Sequence, residues 1–162
     1  MLTLERITTE YCHTQDRIRL AAEAADGSLL TLWLTNRLAN RLLPHLMQWL
    51  EQQGSEQQIE QLQAILQHQA EHQVTPQQPV PAQAGQHILI QSIDITSSQE
   101  QLLLTFQPLE GESSRLAFTP TPLRQWLSIL RHTYLQADWT FSSWPLWLQE
   151  GEQVHSTPTT LH

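Results

Sequence analysis

His68, Gln69, Ala70, Glu71 and His72 spell H-x-x-E-H, the inverted zinc-peptidase signature, in which two imidazoles four residues apart on a helix face one way and can share a metal. Zinc catalysis needs a third protein ligand and an enclosed cleft. Glutamines flank this motif and a proline-bearing stretch follows it, so His68 and His72 read as solvated side chains on a polar helix. Any metal there would be adventitious, no cofactor is expected, and zinc hydrolysis is the third-ranked function. A second set of residues is cationic. Arg17 and Arg19 project from one side of a strand, and Arg37 and Arg41 stand one helical turn apart. With Arg6 they could grip phosphate or carboxylate through paired guanidinium bonds. Glu5, Glu10, Asp16, Glu23 and Asp26 neutralise the same region, so ion pairing is the expectation. Acidic residues recur at Glu10 and Asp94 and at Asp16 and Glu100, where paired carboxylates could exchange protons. Asp16 and Glu100 adjoin turns, however, and polar residues are ordinary there. The aromatic set is the densest: Trp139, Trp144 and Trp147 fall within nine residues. They either close the core or present a surface to a partner, and Pro145 confines any strand there to an edge.

Composition removes several chemistries. The chain has 162 residues and a net charge of −8, its positive charge coming from eight arginines without any lysine. Schiff-base catalysis, a lysine-bearing phosphate loop and Ser/Lys nucleophilic pairs are excluded. The acidic balance weighs against nucleic acid, whose affinity comes mainly from cations neutralising phosphates. No G-x-S-x-G, glycine-rich dinucleotide loop or Cys-rich zinc pattern occurs. Cys12 is the only cysteine, suited to a buried small hydrophobe in a reducing compartment. With no apolar run of about 18 residues and no basic-then-apolar leader, a cytoplasmic protein with no membrane partner is expected.

The elements that would position these residues come in two sets. Residues 1–52 lie over 85–136 at a constant offset of 84: Ile18 and Leu20 meet Leu102 and Leu104, Leu32, Leu34 and Thr35 meet Leu116, Phe118 and Thr119, and Leu43 and Leu46 meet Leu127 and Leu130. In the first set, residues 3–12 form a weak strand with Ile7, Thr9 and Tyr11 on one face. Asp16 to Ala24 alternates as a half-buried strand. Asp26-Gly27 supplies a turn, with Gly27 at positive φ, into a strand whose inward row is Leu30, Leu32 and Leu34. Thr35 and Asn36 can cap a helix over 36–53, ridged by Leu38, Leu42, Leu46 and Leu50 and kinked at Pro44. In the second, Thr121 is the expected cap and Pro122 the first helical residue, followed by the stripe Leu123, Trp126, Leu127, Leu130 and Tyr134. Each helix should lie across the inner face of its own three-stranded meander.

Between the sets, Gly54, Ser55 and Gln58 punctuate the start of a polar helix reaching about residue 73, with a narrow stripe of Ile59, Leu62 and Leu66. Residues 74–86 should be an extended linker and 151–162 a disordered tail. The expected fold is therefore α+β, a tandem duplication of a βββα unit with pseudo-twofold symmetry. Its parts are a first repeat over 1–53, a polar helix and linker over 54–86, a second repeat with the Trp-rich segment over 87–150, and the tail, the two repeats sharing one globular domain.

This element order resembles that of the Pur-alpha and Whirly nucleic-acid-binding proteins, in which a sheet meander followed by a helix is repeated. The resemblance covers most of both sets and implies an open sheet face that binds single-stranded nucleic acid. Here the corresponding rows are Arg17, Arg19, Ala21 and Glu23, and Gln101, Leu103, Thr105 and Gln107, the second without a cation. The leading expectation is instead a non-enzymatic interaction or assembly module, self-associating as a homodimer or binding another protein through the outward Trp33 and Leu103 and through Trp139, Trp144 and Trp147. Single-stranded nucleic-acid binding through Arg17, Arg19 and Trp33 is the alternative.

Overall fold

The computed structural model describes residues 1–53, 60–82 and 85–149, and its strands close into a six-stranded barrel. The elements run β1 (Leu2–Cys12), β2 (Arg17–Ala24), β3 (Leu29–Leu34), α1 (Asn36–Glu51), α2 (Glu60–His72), β4 (Gln86–Ser97), β5 (Leu102–Pro108), β6 (Ser114–Phe118) and α3 (Pro120–Ala137). The succession of three strands and a helix thus occurs twice, with α2 between. Alternation sorts β2 as expected: Ile18, Leu20, Ala22 and Ala24 enter the core, while Arg17, Arg19 and Glu23 point outward. Gly27 turns β2 into β3 at φ +88°, and Gly111 turns β5 into β6 at φ +103°, conformations a side chain would strain. Asp26 tightens the first turn by accepting from the Ser28 N–H. The registers that follow match at the offset of 84, Ile18 facing Leu34 and Leu102 facing Phe118.

The meanders are not separate layers each under its own helix. β3 runs parallel to β4, with Leu30–Trp33 beside Gln86–Leu89, and β6 runs parallel to β1, with Ser114 and Arg115 beside Leu2 and Thr3. A three-stranded sheet has two edges of unpaired N–H and C=O groups, and joining the sheets edge to edge satisfies part of both. That closure also redirects the helices. Leaving β3, α1 packs on β4; leaving β6, α3 packs on β1, so each helix covers the first strand of the other half. The offset also slips in one place. Thr9 faces Leu20 in the first hairpin, whereas Ile93, its counterpart 84 positions on, faces Phe106 rather than Leu104.

Core and caps follow local chemistry. Leu32, Leu34, Leu104 and Phe106 from the barrel meet Leu43, Leu46, Leu50, Leu123 and Leu127 from the helices, all fully buried. Thr35 Oγ1 accepts from the Leu38 N–H to cap α1, which continues through the exposed Pro44. α3 begins at Pro120 behind Thr119, two residues before the Thr121–Pro122 start read from sequence, because Pro120 already suits the first turn. It ends at Asp138, whose left-handed backbone (φ +58°) turns the chain back. Trp139, Phe141 and Trp144 then meet Tyr134 edge-on, with centroids 5.2, 6.1 and 5.4 Å away. A helical turn over 146–149 drives Trp147 and Leu148 into the core. The Trp-rich segment therefore closes the core without forming a strand.

α2 docks on α3 by its polar side. Gln63 and Gln67 are buried, whereas Ile65 is 54% exposed and Leu62 and Leu66 are half-buried, so the apolar stripe is not what docks. The amide of Gln67 donates to the Arg124 carbonyl (2.9 Å), Gln125 Nε2 to the Ala70 carbonyl (3.0 Å) and Ser128 Oγ to Glu71 Oε1 (3.0 Å). Arg124, 3% exposed, bonds Gln63 Oε1 and lies 5.3 Å from the Trp147 ring centre. Burial pulls its guanidinium down to about 10. The expected caps Gly54, Ser55 and Gln58, the stripe residue Ile59 and the tail from Glu150 lie outside the described residues.

Candidate functional site

The two parallel seams differ, and the site sits where pairing is shorter. After Thr3 and Arg115 the ladder stops: β1 continues to Cys12 and β6 to Phe118 with no strand between them among the described residues. α3 bridges the gap from behind by side chains. The Trp126 ring stacks on Phe118 (5.0 Å, 15°), and its Nε1–H donates to Thr9 Oγ1 at 3.0 Å. In front remains a groove of about 880 Å³, within the usual size of ligand sites. Its floor is Leu116, Phe118 and Trp126; Ile129 and Val74, 45% and 53% exposed, stand at the rim.

The opposite wall is the segment following α2. Residues 74–79 line the groove, and Val80 is then held against Thr8 on the outer side of β1. Arg6 Nη1 donates to the Gln78 carbonyl and Nη2 to Glu23 Oε2, while the Val80 N–H donates to Thr8 Oγ1 at 2.9 Å. Thr8, Ala21, Thr31 and His87 form one row across four strands, and Val80, 3% exposed, is tied to its first member. The segment expected to be an extended linker is, over residues 74–82, a strap seated on the sheet. It rejoins β4 at Gly85, where φ is +71° and a Cβ would fall 1.7 Å from the Leu29 carbonyl oxygen.

The strap and its neighbours change the standing of the residues singled out above. Trp33 faces outward but is 6% exposed, stacking on His87 (5.9 Å, 26°) and donating to its Nδ1. Arg19 is engaged by Glu10 at 2.6 Å and Arg6 by Glu23 at 2.7 Å, the ion pairing expected. Arg19 and Trp33 are thus each engaged within the chain, while Arg17 Nη1 donates to Gln15 Oε1 at 3.5 Å. Trp147 is buried; Trp139, Trp144 and Leu103 are half-buried. Trp139 Nε1–H and the Tyr11 hydroxyl both donate to Asp16 Oδ1, which holds the Asp16 carboxyl below the usual range and raises the Tyr11 phenol. Asp16 and Glu100 do not form a pair; Asp16 serves the first hairpin tip, and the second tip is held by Trp49 Nε1–H donating to the Ser98 carbonyl. The His68 and His72 rings meet edge-on at 4.3 Å, and no group of three metal-ligating side chains occurs among the described residues.

Thr9 and Thr8 hydroxyls accept structural bonds, and Ser128 donates to Glu71. The rim mixes Glu5, Arg6 and His132 with Ile129 and Val74. Sequence reasoning assigned Trp126 and Phe118 to the core and gave Ile129 and Val74 no role. Ile129 did carry a signal, being apolar yet off the buried stripe of its helix. No family model, curated protein or solved structure matches the chain, so the likeness in element order to Pur-alpha and Whirly proteins finds no support there. No helix among the described residues is long and apolar enough to cross a membrane.

Proposed function

We propose that this protein is a non-enzymatic interaction module that takes an extended peptide segment of another protein, or of a second copy, into the groove between β1 and β6. The observation that carries this reading is the ladder that stops after two residue pairs, leaving two strand edges beside an aromatic floor. An inserted strand supplies backbone donors and acceptors to both edges, and its alternate side chains meet Phe118 and Trp126. The two βββα units are read as one module duplicated in tandem, which the matching β2/β3 and β5/β6 registers support. On that reading the peptide occupies the place where duplication left its second seam unfinished.

The test is panning of a random peptide library against the purified chain, followed by calorimetry of the enriched peptides. Ile129→Glu, at an exposed rim position, should weaken binding at least about tenfold, or roughly 1.4 kcal/mol, with the fold unchanged. Enriched peptides indifferent to Ile129→Glu, or no enrichment beside salt-sensitive capture of a labelled oligonucleotide, would overturn the reading. Light scattering at high concentration then separates a foreign peptide from a second copy: a monomer that binds peptide excludes self-association through this groove.

A further inference from the structure

We propose that the strap, residues 74–82, is a displaceable cover that opens while the barrel stays folded, uncovering the outer row of the first sheet and removing one wall of the groove. Along its length only Val80 is buried; 74–79 and 81–82 are exposed. The Val80 N–H on Thr8 Oγ1 and the Gln78 carbonyl on Arg6 anchor it to the sheet. Segments with few buried apolar contacts open at low cost relative to global unfolding. What lies beneath is unlike ordinary surface: Ala21 and Thr31 are 2% and 0% exposed on the outside of a barrel.

Arg6 links cover and groove. One guanidinium nitrogen holds Gln78 and the other Glu23, and the residue also lines the groove. A carbonyl or carboxylate entering beside β1 competes with Gln78 for the same N–H, so filling the groove favours release of the strap. What the opening would admit rests on the peptide reading; the opening itself does not.

Val80→Cys in a Cys12→Ser background gives one thiol at the anchor, and its labelling by a disulfide reagent reports release. Labelling should be independent of urea below the unfolding transition. Arg6→Gln should accelerate it at least about fivefold, since a charged hydrogen bond to the strap is lost, whereas Glu23→Gln, which leaves the Gln78 contact, should not. Hydrogen exchange of the Val80 amide in the unaltered chain provides the same readout without substitution. A rate that tracks global unfolding, labelling as fast as in urea-unfolded chain, or equal acceleration by both variants overturns the proposal. Failure of every peptide to bind would end the peptide reading and leave these rates as they are.

Discussion

The outer faces of the two sheets occupy matching positions and have opposite character. Ala21, Thr31 and Trp33 are buried; 84 residues on, Thr105 is half-buried, and Arg115 and Ala117 are exposed. Inward rows agree, because both line the same barrel. Outward rows diverge because the strap, emerging between the halves after α2 has docked on α3, folds back onto the first sheet. β3, Leu-Leu-Thr-Leu-Trp-Leu, is apolar on both faces, the pattern of a strand covered twice, whereas β6, Ser-Arg-Leu-Ala-Phe, alternates. A tryptophan facing away from a barrel core thus signalled an intramolecular cover here.

The strap junction should be the most sensitive point of this asymmetry. Gly85→Ala combines positive φ with a backbone collision and should cost roughly 3–5 kcal/mol in urea denaturation. Gly27→Ala and Gly111→Ala, with nothing within 4 Å, should each cost about 1–2 kcal/mol. A Gly85→Ala cost no larger than theirs would break the route drawn for the strap. Next, Trp33→Ala should lose about 3–4 kcal/mol as a buried site, while Ala117→Trp at its counterpart should stay within about 0.5 kcal/mol. Equal effects would mean the faces are not distinct.

A smaller effect tests how α2 is held. Gln63→Leu leaves the Arg124 guanidinium buried without its amide and should cost about 2 kcal/mol. Adding Arg124→Met should recover most of it, since a well-packed apolar group replaces a buried charge without loss. The smallest compares the hairpin tips. Asp16 has its carboxyl pKa depressed in the folded state by the Tyr11 and Trp139 bonds, so its stabilisation is present above the ordinary carboxylate pKa and fades as pH falls through the depressed value. The stability gap between the unaltered chain and Asp16→Asn should therefore be largest near neutrality and close in acid. Trp49→Phe, which removes a bond to a backbone carbonyl at the other tip, should show no such dependence.

Much of the local structure was legible for simple reasons. Alternation placed β2, β5 and both inward rows; Gly27 announced its turn; leucines spaced along α1 and α3 marked their buried faces. Charge neutrality around Arg6 and Arg19 foretold their ion pairs. Less was legible at the candidate site. Trp126 and Phe118 read as core, and so they are, but nothing in their spacing tells that their stack floors an opening. The polar side of α2 read as its solvent face because glutamine is usually exposed. Here Gln63 and Gln67 meet the Arg124 side chain and carbonyl, and that pairing of polar with polar is visible only once α3 is beside them.

By itself the sequence determined which residues turn inward, where the chain turns, and that lysine-dependent chemistry is absent, because these depend on residue type and near-neighbour periodicity. Tertiary structure alone decided that two meanders join edge to edge, that each helix serves the other half, that the strap covers one sheet, and that the β1/β6 ladder ends after two pairs. Strand edges are backbone, nearly identical at every residue, so their choice of partner is settled by how the whole chain packs.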